Sequence, residues 1–148
     1  MKNTILGLIP HALALFITAI FVDSLRFKFT NHPNTENIFG ILNEWAGTFG
    51  ASGLFSHSGL FSPYVIGSAE LLASVLLLLG IIPALRKVQG YGAILALMIM
   101  TGAVSFHLFT PLGTDPNNDG GGLFVAACLV WLASLVLVVV RRKEILGR

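Results

Sequence analysis

Four stretches of the chain are almost continuously apolar: about 5–30, 64–85, 90–109 and 123–140. Each approaches the about 20 residues that a helix needs to cross a bilayer. The breaks between them are polar or basic: a long connection over 31–62, Arg86-Lys87, a polar turn over 114–122, and Arg141-Arg142-Lys143. This pattern predicts an all-α integral membrane protein, a four-transmembrane-helix bundle forming one domain over 1–148. Ala12-Leu13-Ala14 has the look of a cleavage box, but the apolar run continues past it to Val22. The run is therefore read as an uncleaved first span, with Pro10 in its first turns.

The long connection has a pattern of its own. Ile38, Ile41, Leu42, Trp45 and Phe49 follow the i, i+3, i+4, i+7 spacing of an amphipathic helix. Asn34 or Thr35 is the expected cap, Glu36 suits the first turn, and Trp45 is the expected membrane-interface anchor. An interfacial or re-entrant helix between spans one and two is the resulting expectation. Gly and Ser then make 47–59 a loop, and Ser62-Pro63-Tyr64 opens span two. In span three, Ala93, Ala96, Met100, Ala103 and His107 recur at alternating spacings of three and four, a packing seam with a histidine at its end.

Composition supports this reading. Of 148 residues, 55% are hydrophobic and only 11% charged, and the mean hydropathy is +0.83. So few charges do not cover the surface of a soluble protein. The net charge of +2 is not spread as a basic face, so nucleic acid is not an expected partner. Lys2, Arg86, Lys87, Arg141, Arg142, Lys143 and Arg148 fall on one side of a four-span arrangement, and only Arg26 and Lys28 on the other. The positive-inside rule then makes both termini cytoplasmic and turns 31–62 and 114–122 outward. The single cysteine, Cys128, forms no internal disulfide and reads as a small packing residue. Acidic residues and Asn in 114–122 suit Ca²⁺ or a helix cap, but the EF-hand spacing is absent, and no metal site is expected.

The candidate chemistry centres on Glu70. A carboxylate within a span costs about 2.5 to 3.5 kcal/mol on insertion scales, which calls for a partner, neutralisation or a function. Gly67, Ala73 and Ser74 lie near it on the helical wheel, so its face is expected to look into the bundle. It lies six residues past Tyr64, about 9 Å from the outer end at about 1.5 Å per residue. His107 is within a turn of the outer end of span three. Asp23, Arg26 and Thr30 share a face at the outer end of span one, where Asp23 and Arg26 are spaced to pair. Lys28 points roughly 140° from Asp23, toward lipid headgroups or back toward a site. His11, near the inner end, stands apart. Two arrangements fit these residues: a structural ion-pair network of Glu70, Arg26 and Asp23, or an outward-opening polar pocket. An acid and an imidazole facing an apolar cavity relay protons or bind a polar head group, and a quinone or lipid head would suit.

The elements Arg26-Phe27-Lys28-Phe29-Thr30, Ile41-Leu42, Ser62-Pro63, Gly67-Ser68-Ala69-Glu70-Leu71-Leu72, Ser105-Phe106-His107-Leu108-Phe109-Thr110-Pro111 and Asp119-Gly120-Gly121 together resemble the DoxX-like family of small four-span bacterial membrane proteins. The family is similar to the DoxD subunit of thiosulfate:quinone oxidoreductase. The resemblance implies the bacterial inner membrane, a quinone link, and a redox partner or homo-oligomer. It also marks Lys28-Phe29-Thr30 and the Gly-x-x-Glu of Gly67–Glu70 as family features. The chain has no cysteine pair, haem motif or flavin fingerprint, which argues against electron transfer by this chain alone.

Three functions follow as expectations. The first is an integral membrane protein that binds a quinone or lipid-like amphiphile through Glu70, His107, Asp23, Arg26, Lys28 and Thr30, as part of a redox complex. The second is a small proton-coupled transporter, against which the shallow position of Glu70 counts. The third is a structural subunit of a membrane complex. A hydrolase built on Ser56, His57, Ser58 and Ser62 is disfavoured, because a serine near a histidine is common and a triad needs specific geometry.

Overall fold

A computed structural model of the chain describes residues 2–147, with side chains from Gly7 onward. The side chains of Lys2 and Ile5, together with Met1 and Arg148, lie outside the described residues. The described residues form six helices and no strand: α1 (Lys2–Phe29), α2 (Pro33–Gly47), α3 (Pro63–Leu79), α4 (Arg86–Phe109), α5 (Gly122–Val140) and α6 (Arg142–Leu146), with a single 3₁₀ turn at Pro83–Leu85 before α4. Among the described residues, three segments are long and apolar enough to cross a membrane: Gly7–Phe29, Pro83–Phe109 and Gly122–Val140. The protein is thus a multi-pass membrane protein.

α1, α3, α4 and α5 pack in a ring, in that order around the bundle. The interior is built mainly from small residues: Ala14, Ala73, Ala93, Ala96, Ala127 and Ala133 are all buried, with Ile17, Phe21, Leu77 and Val130 between them. Large apolar side chains such as Leu15, Leu72, Met98, Leu132 and Val139 point outward. This is the inverse of a soluble bundle. In lipid, burying leucine against a neighbour gains little, and close backbone approach through small residues gains packing. Gly92 shows how close: a Cβ there would lie 2.9 Å from the Leu77 nitrogen and 3.1 Å from the Ala73 carbonyl oxygen, so α3 and α4 touch backbone to side.

α3 starts as the sequence indicates, with the Ser62 hydroxyl accepting from the Val65 amide and Pro63 in the first turn. It ends earlier than the expected 85, at Leu79. There Gly80 lies so close to Gln89 that a Cβ would meet that residue's backbone, and the chain reverses into the Pro83 turn and α4. α4 begins at Arg86, four residues ahead of the expected 90, and buries the Ala93, Ala96, Met100 and His107 seam.

α2 also differs at its ends. His32, not Asn34 or Thr35, is the cap: its Nδ1 accepts from the Asn34 amide at 3.2 Å. Pro33 takes the first helical position, which leaves the preceding residue to cap. Phe49 falls beyond the helix and is exposed. α2 touches α1 only lightly. Leu42, Ala46, Phe55 and Leu112 form a second small core, joined by Trp45 and Phe106. α2 and the following loop thereby form a cap over the end of the bundle where α1 and α4 finish. Asn37 Nδ2 ties this cap to the α4–α5 connection by donating to the Pro116 carbonyl at 2.8 Å.

Candidate functional site

Glu70 sits two turns into α3, 2% exposed, and its carboxylate faces α1. The Ser24 hydroxyl donates to Glu70 Oε2 at 3.0 Å, and Lys28 Nζ lies 3.1 Å from the same oxygen. Lys28 also donates to Ser24 Oγ, so an ammonium, a hydroxyl and a carboxylate close a triangle between α1 and α3. The side chains of Lys28 and Glu70 are 16% and 3% exposed, respectively. A carboxylate held by an ammonium and a hydroxyl in an apolar surrounding is strongly bound only while all members stay in place.

Gly67 explains how the pair comes together. A Cβ at Gly67 would lie 3.1 Å from the Phe29 ring and 3.5 Å from Lys28 Cβ. Without one, the last turn of α1 settles onto α3, and Lys28 reaches the carboxylate one helical turn further along. The Lys-Phe element of α1 and the Gly-x-x-Glu of α3 are two halves of one contact. The Ser74 hydroxyl donates back to the Glu70 backbone carbonyl at 2.8 Å, which closes the face below.

The other expected members lie elsewhere. Arg26 and Asp23 pair with each other at 2.9 Å on the surface, with side chains 69% and 61% exposed, and Arg26 covers the Phe27 ring. Such an exposed local pair has no need of a buried partner. The Thr30 hydroxyl bonds back to the Arg26 carbonyl. His107 is buried, but its Nδ1–H donates to the Gly113 carbonyl at 2.6 Å, and its ring packs on Phe124. It fastens the α4–α5 connection; among the described residues no hydrogen bond or ion pair joins it to Glu70. Trp45 is half-buried, edge-on to Phe49 and to Phe106 within the cap.

No protein family matches this chain. No curated protein and no solved structure matches it either.

Two polar features escaped the sequence reading. Ser24 is one; its spacing of four from Lys28 is the signal that pointed to it. The other lies at the opposite end of the bundle. Gln89, fully buried, donates to the Leu77 carbonyl and accepts from Arg141 Nε at 2.8 Å, while Arg141 also pairs with Glu144 at 3.1 Å. A lone amide in the first turn of an apolar helix was the available sign. In the α4–α5 connection, Asp119 caps α5. Its carboxylate accepts from the amides of Leu123, Gly121 and Gly122 at 3.0 to 3.1 Å. The Leu123 amide foremost, then Asp115 and the two glycine amides, holds the Asp119 carboxyl below the usual carboxylate range. Its carboxylate thus accepts from the backbone amides that open α5, as a capping group does.

Proposed function

We propose that the chain is a four-span DoxX-like protein of the bacterial inner membrane, with both termini cytoplasmic, that binds the head group of a quinone or lipid-like amphiphile at its outward end. The observation that carries this reading is the Lys28–Ser24–Glu70 triangle. It places a donor and an acceptor at the junction of two apolar helices, with lipid-facing surface on either side. α3 is the fourth span in this reading: it is apolar along its length and packs between α1 and α4. α2 is the interfacial helix, with Trp45 in its cap. The distribution of Lys and Arg supports the orientation. A carbonyl head group accepts from the Lys28 ammonium and a hydroxyl head group donates to Glu70, while an isoprenoid or acyl tail lies along the exposed leucines. A redox partner supplies the electron transfer that the chain's own residues do not; a second copy of the chain is the alternative neighbour and adds no redox group.

Protein purified in nanodiscs, titrated with a short-tailed quinone and read by quenching of Trp45 and Trp131, tests this. Glu70→Gln and Lys28→Met weaken binding at least tenfold; unchanged affinity in both variants rejects the reading. A second reading, a proton-coupled transporter, draws on a different observation. Among the described residues, Thr18 Oγ1, Ser134 Oγ and His11 Nδ1 are buried in the helices without partners, which leaves polar groups deep to Glu70 free to carry water. Absence of pH-driven flux in proteoliposomes removes it.

A further inference from the structure

The cap over the bundle carries a half-open cavity of about 190 Å³ that is separate from Glu70. It is lined by Glu36, Phe39, Gly40 and Asn43 from α2 and by Phe55 and His57 from the following loop. The four α2 residues recur at spacings of three, one and three, so one face of the helix forms the floor. Asn43 fixes the opposite wall: its Oδ1 accepts from the Gly53 and Phe55 amides at 3.0 and 3.3 Å. At the mouth, His57 Nε2 and Glu36 Oε1 are 2.8 Å apart, both about half exposed.

Gly40 is the informative residue. It lies in the middle of α2, and glycine is the poorest helix former after proline. Its φ is ordinary, and a Cβ there would meet nothing within 4 Å. Neither backbone conformation nor close packing calls for glycine at this position. What the missing side chain provides is room in the cavity.

The chemistry of the walls selects the ligand. Phe39 offers aromatic surface, which attracts cations as well as apolar groups, and Phe55, buried against Phe106, closes the far wall. Glu36 keeps its second carboxylate oxygen free of the contact with His57. The segments that form the cap, 31–62 and 110–121, carry Glu36, Glu44, Asp115 and Asp119 and no Lys or Arg. The field around the cavity therefore favours a positive ligand. We propose that this cavity binds a small organic ammonium with an aromatic body. The ammonium pairs with Glu36 beside His57, and the ring lies over Gly40 between Phe39 and Phe55. The site is independent of the Lys28–Glu70 pair.

Full-length protein in nanodiscs, with empty nanodiscs as the partition control, is titrated with 2-phenylethylammonium, phenylacetate and 3-phenylpropanol by saturation-transfer NMR. Saturable binding is expected for the ammonium, at least tenfold tighter than for the other two. Glu36→Gln lowers that affinity at least tenfold. Gly40→Leu, which fills the cavity while improving helix propensity, abolishes it. His57→Ala removes the competing donor and raises affinity, and Glu70→Gln leaves it unchanged. Equal binding of phenylacetate, or wild-type affinity in Gly40→Leu, overturns the proposal.

Discussion

Replacing Lys28 by methionine isolates the energetics of the buried pair. The substitution keeps the length and apolar stem of the side chain and removes only the ammonium. Glu70, with its side chain 3% exposed, then keeps a single side-chain partner, the Ser24 hydroxyl at 3.0 Å. Leaving one member of a buried ion pair uncompensated costs about 3 to 5 kcal/mol. Ser24 offsets part of this, and a loss of about 3 kcal/mol is expected, over a hundredfold in the folding equilibrium. Glu70→Gln should cost less, about 1 to 2 kcal/mol, because an amide still accepts from Ser24 and Lys28 can swing from the last turn of α1 to the surface. The double variant should lie within about 1 kcal/mol of Glu70→Gln alone, which gives a coupling of about 3 kcal/mol. SDS-driven unfolding in mixed micelles, followed by Trp45 and Trp131 fluorescence, measures all three. If Lys28→Met falls within about 0.5 kcal/mol of wild type, the size of an ordinary surface change, the argument for a paired, dehydrated carboxylate fails.

Other substitutions probe the rest of the bundle. Gln89→Leu deprives the buried Arg141 of the acceptor for its Nε and should cost about 2 to 3 kcal/mol in the same unfolding assay, while exposed Arg142→Leu should cost under about 0.5. Gly92→Val forces α3 and α4 apart and should cost about 3 kcal/mol or more, seen as a lowered thermal midpoint in nanodiscs. Asp119 has a folded pKa below its unfolded value, so its contribution is present above the unfolded pKa and is lost as pH falls through the folded one. Hydrogen exchange at the Gly121, Gly122 and Leu123 amides, corrected for intrinsic rates, should therefore lose protection in acid. At neutral pH Asp119→Ala should show the same loss severalfold, and an unchanged exchange pattern would contradict the cap.

Much of the fold was legible because lipid imposes simple patterns. The alternating three and four spacing from Ala93 to His107 marks the buried stripe of α4, since only small residues let helices meet without a hydrophobic driving force. Ser62 before Pro63 marks the start of α3. The same logic applied to His32 before Pro33, yet the stronger intrinsic capping preference of Asn and Thr pointed two or three residues too far. The inward turn of Glu70 could be read from Gly67, Ala73 and Ser74. Which of Asp23, Arg26 and Lys28 would reach it could not, because a helical wheel records only local neighbours. Asp23 and Arg26 satisfy each other within α1, and Lys28 finds Glu70 only once α1 has docked on Gly67. Gln89 and Arg141 lie 52 residues apart, and nothing local announces their bond. The early end of α3 had the same origin, a close approach of Gly80 to Gln89 from the next helix.

That early end has a mechanical consequence. α3 has 17 residues, against 19, 24 and 28 in α5, α4 and α1. At about 1.5 Å per residue it is about 26 Å long, shorter than an acyl region about 30 Å deep. In the four-span reading, the lipids along its face thin, or flanking polar residues reach outward, to keep its ends wet. In that reading, Glu70 is clamped within the first turns of the shortest span. The hydrophobic mismatch of that span would then bear on the helix that carries the clamp, more in a thick bilayer than in a thin one.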